Sequence, residues 1–172
     1  FGSRPRSCCA GFVFFAAPQQ QSCLSTMATD KPVMVVTGAS YGVGAAIVKR
    51  FAGKFHVCAL ARSQDKLDAV VAASGGAEVA SAYVCDVSDR SAVVDTAKKI
   101  LEKFGKVDVL VNNAAVMLQK KLVDLTLDEV DQMVDINLKG TMYVTHSFLP
   151  SLIAQQSGKI IMINSVAGLS PW

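Results

Sequence analysis

Three glycines, Gly38, Gly42 and Gly44, break the run Val-Met-Val-Val-Thr-Gly-Ala-Ser-Tyr-Gly-Val-Gly that begins at Val33, and an apolar helical pattern, Ala45-Ala46-Ile47-Val48, follows at once. These residue types at this spacing fit a phosphate cradle. Gly38 can take positive φ in the turn, while glycine at 42 and 44 keeps Cβ atoms away from an approaching pyrophosphate and from the sheet beneath. The first N–H groups of a helix starting there lack intrahelical partners and carry the positive dipole end, so an anion gains about 0.3–2 kcal/mol without a lysine. The G-x3-G-x-G spacing is neither the G-x-G-x-x-G dinucleotide fingerprint nor a P-loop, because Ala45 stands where a P-loop needs lysine. Taken alone, it also suits a plain strand-turn-helix with convenient glycines.

Elements that would position the cradle alternate along the chain. Val33–Thr37 reads as a first strand, and 42–53 as a helix with apolar residues at Val43, Ala46, Ile47, Val48 and Phe51. A second strand follows over 55–61, then a helix capped by Ser63 and stopped by Gly75-Gly76. The third strand is 80–85, and Ser88 is placed to cap a helix whose apolar face carries Val93, Ala97, Ile100 and Phe104 and which Gly105 closes. The fourth strand is 107–111. Thr126 and Glu129 form a capping box opening one long helix over Val130, Met133, Val134, Ile136, Leu138, Met142 and Val144, with Pro150 set to kink or shorten it. The fifth strand is 159–163. Near-continuous apolar strands imply a sheet covered on both faces, and successive βα units imply an α/β, doubly wound parallel sheet of Rossmann type. If the first strand lies where strand order reverses, the glycine turn faces the ligand-binding crevice.

Bulk properties narrow the class. One domain is expected from 172 residues, 51% of them apolar and 18% charged. The net charge is +3, and the longest basic runs are the pairs Lys98-Lys99 and Lys120-Lys121, so no nucleic-acid-binding stripe is present. No apolar run reaches the roughly 18 residues of a membrane span. Five cysteines, Cys8, Cys9, Cys23, Cys58 and Cys85, contain no C-x2-C pair and support neither a zinc site nor a disulfide framework. Residues 1–26 differ in character: Arg4 and Arg6, no acid, several serines and an apolar patch over 11–17. Three readings compete for this stretch: an organelle transit peptide, a secretory signal, or sequence upstream of the true start at Met27. The third is preferred, with 1–26 a disordered or non-native leader, 27–172 a dinucleotide-binding domain, and the cytoplasm as location.

Further polar stretches fall at the carboxyl ends of these strands, on the same edge as the cradle. They are Ala61-Arg62-Ser63, Cys85-Asp86-Val87, Asn112-Asn113-Ala114-Ala115 and Asn164-Ser165, with Asn137 inside the long helix. In order and spacing, together with Thr37-Gly38-Ala39-Ser40-Tyr41-Gly42-Val43-Gly44, the set closely resembles the short-chain dehydrogenase/reductase family over residues 31–172. The resemblance implies five of that family's seven strands. It implies cofactor contacts from Gly38, Ser40, Tyr41, Gly42, Val43, Gly44, Arg62, Asp86, Val87, Asn112 and Ala114, with Asp86 accepting from the adenine amine. Asn112 and Asn113 would tie adjacent strand ends together, and Ala115 replaces the family's glycine. The resemblance further implies that Asn137 holds a water in a proton relay and that Ser165 holds the carbonyl oxygen of a small-molecule carbonyl or alcohol substrate.

Cofactor preference follows from charge. An acid at the end of the second strand would bond a ribose 2′-OH and repel a 2′-phosphate, but Ala61 and Arg62 occupy that place. A guanidinium gripping the phosphate through charge-assisted bonds is worth about 1.5–3 kcal/mol, so NADP is expected over NAD. The family's Tyr-x3-Lys pair lies about a dozen residues beyond the serine, and this sequence ends seven residues past Ser165. Tyr83 and Tyr143 are followed four residues on by Val87 and Ser147. The chain is therefore expected to hold the cofactor half of an oxidoreductase without completing the reaction, the alternative being a non-catalytic NADP-binding or interaction fragment. A bare apolar edge at the fifth strand and oligomer formation by the complete protein are also expected.

Overall fold

The computed structural model describes residues 31–165. Residues 1–26, expected to be a leader, lie outside the described residues. Five strands form one sheet in the order β3-β2-β1-β4-β5: β1 (Val33–Thr37), β2 (His56–Ala61), β3 (Ala80–Val84), β4 (Val109–Asn112) and β5 (Lys159–Met162). All pairings are parallel. Strand order reverses between β1 and β4, so the crevice of this doubly wound sheet opens beside the end of β1.

Alternation along β1 divides the core. Val33 and Val35 pack with Leu110, Ile100, Phe104, Val144 and Phe148 on one face. Met34 and Val36 pack with Val48, Leu67, Val70 and Val111 on the other. Helices α1 (Gly42–Phe51) and α2 (Gln64–Ala73) cover the second face. The first is covered by α3 (Arg90–Phe104) and by a long helical element made of α4 (Leu127–Val134), a π-helical turn (Asp135–Gly140) and α5 (Thr141–Gln155). No helix among the described residues is long and apolar enough to cross a membrane.

Several local expectations are met and several need correction. Gly105 closes α3 in the left-handed conformation at φ 74°, and Thr126 with Glu129 forms the capping box of α4. Ser88 does not cap α3. Its N–H and hydroxyl both donate to Asp86 Oδ1, at 3.0 and 2.7 Å, and this turn shifts the cap to Asp89, which accepts from Ser91 N and Ala92 N. Ser63 stands at the N-cap of α2 but its side chain makes no cap bond. Pro150 neither ends nor shortens α5, which runs to Gln155. Pro150 and His146 are both exposed, so the carbonyl deprived of its i+4 donor lies on the solvent side of the helix. Coverage of the sheet on both faces is also incomplete: β5 is exposed at all four residues, with Ile160, Ile161 and Met162 at 37%, 41% and 50%.

Candidate cofactor site

Strand register puts the loops together. Thr37 pairs with Leu60, Ala61 with Val84, Val36 with Val111, and Asn112 with Met162, so five carboxyl ends line up along one edge. Between them opens a cleft of about 260 Å³, lined on one side by Gly38, Ser40 and Tyr41 and on the other by Asp86, Val87, Ala114, Ala115 and Val116. Arg62, Ser63 and Lys66 close its β2 end. Lys66 was not singled out in the sequence, and Ser63 only as a helix cap within the strand-end stretch. The signal was available, since Lys66 stands four residues after Arg62 and one turn into a helix, where it returns to the same face.

The three glycines have separate tasks. Gly38 sits at φ 64°, and a Cβ there would come within 2.8 Å of Ala114 Cα. Gly42 sits at φ 57° with nothing within 4 Å of its missing Cβ, so open space lies there for an approaching group. Gly44 faces inward instead. A Cβ on it would collide with Gly38 O and lie 2.6 Å from Asn113 Nδ2, so this glycine serves helix-to-strand packing rather than ligand approach. The N-terminus of α1 has no side-chain cap and no acid in its first turn, which leaves its N–H groups unclaimed by side chains.

Thr37 and Asn113 rivet the cradle to β4. Thr37 Oγ1 accepts from Asn113 N at 2.9 Å and Ala114 N at 3.0 Å. Asn113 Nδ2 donates to Thr37 O at 2.9 Å and Gly38 O at 3.2 Å. Asn112 points elsewhere. It is buried, its Nδ2 donates to Thr145 Oγ1 at 3.0 Å, and its Oδ1 accepts no bond among the described residues. It ties β4 to α5 and is not among the residues lining the cleft. Val43 is likewise outside the lining and exposed.

Asp86 holds a defined position. With Oδ1 occupied by Ser88, its Oδ2 lies 4.0 Å from the Arg62 guanidinium. Asn137 sits in the π turn, not in a regular helix, and its side chain is engaged at both ends: Oδ1 accepts from Val116 N and Nδ2 donates to Val116 O, both at 2.8 Å. Its own carbonyl accepts from Thr141 Oγ1 at 2.9 Å. Ser165 lies three residues beyond β5, with its N–H donating to Asn164 Oδ1. It shares the edge of the sheet with the cleft but is not among the cleft-lining residues.

The family model described as short chain dehydrogenase matches residues 32–172. The chain belongs to the short-chain dehydrogenase family. Short-chain dehydrogenase relatives include an uncharacterized oxidoreductase of Staphylococcus epidermidis, 37% identical over 141 residues, 81% of this chain and 60% of that protein. A 3-oxoacyl-[acyl-carrier-protein] reductase of Thermotoga maritima is 34% identical over 145 residues, 83% of this chain and 59% of the relative. Among solved structures, a metagenomic short-chain oxidoreductase in complex with NADP matches with a TM-score of 0.76 at 38% identity, covering 82% of this chain and 65% of that one. Actinorhodin polyketide ketoreductase with NADPH matches with a TM-score of 0.79 at 30% identity, covering 85% and 58%. This short-chain dehydrogenase sequence thus spans about three fifths of the length of the curated relatives it matches.

Proposed function

We propose that this chain binds NADP(H) in the cleft and forms the cofactor-binding part of an oxidoreductase acting on a carbonyl or alcohol. The observation that carries the reading is the composition of the β2 end, where Arg62, Ser63 and Lys66 border one cleft with no acid at the end of β2 itself. The residues suit a dinucleotide. Gly42 leaves room, the N-terminus of α1 offers uncapped N–H groups, and Arg62 and Lys66 offer two cations for a 2′-phosphate. Asp86 is the standing partner of Arg62, but that pair is 4.0 Å apart and exposed, and such pairs contribute about 0–1 kcal/mol. A phosphate carrying more charge and forming charge-assisted bonds worth about 1.5–3 kcal/mol takes the guanidinium in preference.

Bound nicotinamide would supply hydride exchange with the substrate carbon. Of this chain's residues, Ser165 is proposed to donate to the carbonyl oxygen. Asn137, whose amide holds the Val116 backbone and whose carbonyl accepts from Thr141, is proposed to hold a water in the proton relay. A general acid contributes on the order of 100- to 10,000-fold. Tyr83 does not suit that task, because burial and then the neighbouring Cys58 push its phenol above the ordinary range. Residues 27–172 alone are proposed to bind cofactor without turnover.

The test is isothermal titration of NADP+ and NAD+ into the chain and into Arg62→Ala. The expected result is a wild-type preference for NADP+ that falls by about 10- to 100-fold in the variant. An unchanged ratio overturns the role of Arg62. Steady NADPH oxidation by residues 27–172 with carbonyl compounds overturns the proposed lack of turnover.

A further inference from the structure

The π turn at 135–140 touches the cleft at three points. Ile136 is buried and lines it, Asn137 clamps the backbone of Val116, which also lines it, and Gly140 lies directly behind Val87. A Cβ at Gly140 would stand 2.8 Å from Val87 Cγ2, 3.1 Å from Val87 Cβ and 3.1 Å from Val87 O. Val87 is 7% exposed and forms the cleft wall beside Asp86. It is a short, branched side chain in a packed setting, so a methyl group at 140 moves it as a unit with its backbone rather than displacing a flexible tip.

From this contact we infer that Gly140 is a positioning residue for cofactor binding. The absence of a side chain at 140 lets the helical element seat against Val87, and this seating fixes the wall of the cleft next to Asp86. Gly140 has an ordinary helical backbone, φ −58°, so the requirement is for space and not for a left-handed conformation. The effect is local to the adenosine half of the cofactor, because Val87 stands between Asp86 and the Ser88 turn. The inference rests on the reading of the cleft as an NADP(H) site.

A double-mutant cycle tests it, with NADP+ and 2′,5′-ADP titrated calorimetrically into wild type, Gly140→Ala, Val87→Ala and the double variant. Gly140→Ala is expected to weaken NADP+ by about tenfold or more, the scale of overpacking a closed contact, and to weaken 2′,5′-ADP by the same factor. Val87→Ala removes Cγ2, the atom a residue at 140 would meet first, and keeps Cβ and O at 3.1 Å, so adding Gly140→Ala in that background is expected to weaken affinity by a clearly smaller factor than in wild type. If Gly140→Ala alone fails to fold, the double variant is expected to fold and to bind NADP+ measurably. Two results overturn the inference: Gly140→Ala binding NADP+ like wild type, or a Gly140→Ala penalty, in binding or in folding, that persists undiminished in the Val87→Ala background. A packing role without a link to the cofactor would lower the melting temperature of Gly140→Ala and leave the NADP+ affinity of the folded protein intact. A wild-type chain that binds neither NADP+ nor NAD+ overturns the cofactor reading itself, a result separate from any outcome of the cycle.

Discussion

Replacing Thr37 with valine removes one oxygen and keeps the shape, so it isolates the rivet between β1 and the 113–116 loop. Thr37 is 1% exposed, and its Oγ1 serves Asn113 N, Ala114 N and, at 3.4 Å, Val111 O. Valine leaves two N–H groups without a partner at a site from which water is largely excluded. An orphaned buried donor costs about 1–3 kcal/mol, and because Asn113 and Ala114 are only half-buried the lower end applies, giving about 2–3 kcal/mol for both. That is a large part of a typical domain stability of about 5–15 kcal/mol. Thr37→Ser is the control: it keeps the hydroxyl and loses one methyl, at about 0.5–1.5 kcal/mol. Urea unfolding followed by far-ultraviolet circular dichroism gives the two differences, with unchanged slopes marking a change in stability alone. Amide exchange adds the location, since Asn113 and Ala114 N–H are expected to exchange faster in Thr37→Val while the β1–β2 amides lose protection only through global opening. If Thr37→Val were no less stable than Thr37→Ser, the hydroxyl would not be the element that joins the two loops.

Two further predictions follow from buried titratable groups. Burial, and after it the charge of Lys103, hold the His56 imidazole below its usual 6.5, with Nε2 2.8 Å from Ser81 Oγ. The unfolded chain therefore takes up protons first as pH falls: the His56 contribution is whole above about 6.5 and is lost as pH drops from there through the folded value. The urea midpoint is expected to fall between pH 7.5 and 5, and that slope should flatten in His56→Asn; equal slopes would refute the assignment. Asp89 and Glu129 are held low by Ser91 and Lys120, so their losses come in the separate window below about 4.5. Burial pushes the Cys58 thiol up to about 12 and the Cys85 thiol upward as well. Neither thiol should be alkylated by iodoacetamide at pH 8 in the folded chain, and both should be in urea; peptide mapping that finds labelled Cys58 without denaturant would contradict the packing.

Local signals carried most of the fold because strand, turn and cap each leave a short-range mark: Val33–Thr37, Gly105 and the Thr126 box were legible for that reason. The cap of α3 was not, because both Ser88 and Asp89 are good cap residues, and only the turn built on Asp86 decides between them. Polar residues on the strand-end edge were readable as a group, since a parallel sheet brings all its carboxyl ends together. Which of them faces the cleft was not, because that depends on side-chain direction: Asn112 turns toward Thr145 while Asn113 turns toward Thr37 and Gly38. The division of labour between Gly42 and Gly44 was not legible for a related reason, as a glycine kept bare for a ligand and one kept bare for a packed carbonyl look alike in a sequence. The long helix was the largest miss. Leu138 and Met142 read as its apolar face yet are exposed, whereas a glycine at 140 gave no apolar mark and is buried.

That buried face has a period of its own. Ile136, Gly140, Val144, Phe148 and Leu152 recur every four residues. In a regular α-helix each such step runs ahead by about 40°, so the five positions would wind around the cylinder instead of forming a line. The wider π turn gives back part of that lead at its start, which makes it a phase corrector for all that follows. Its tolerance to length is therefore sharply asymmetric compared with its tolerance to sequence. Removing any one residue from 135–140 would turn α5 by about 100°, carrying Val144, Phe148 and Leu152 out of the core and Asn112 away from Thr145, whereas most single replacements in the turn leave the phase untouched.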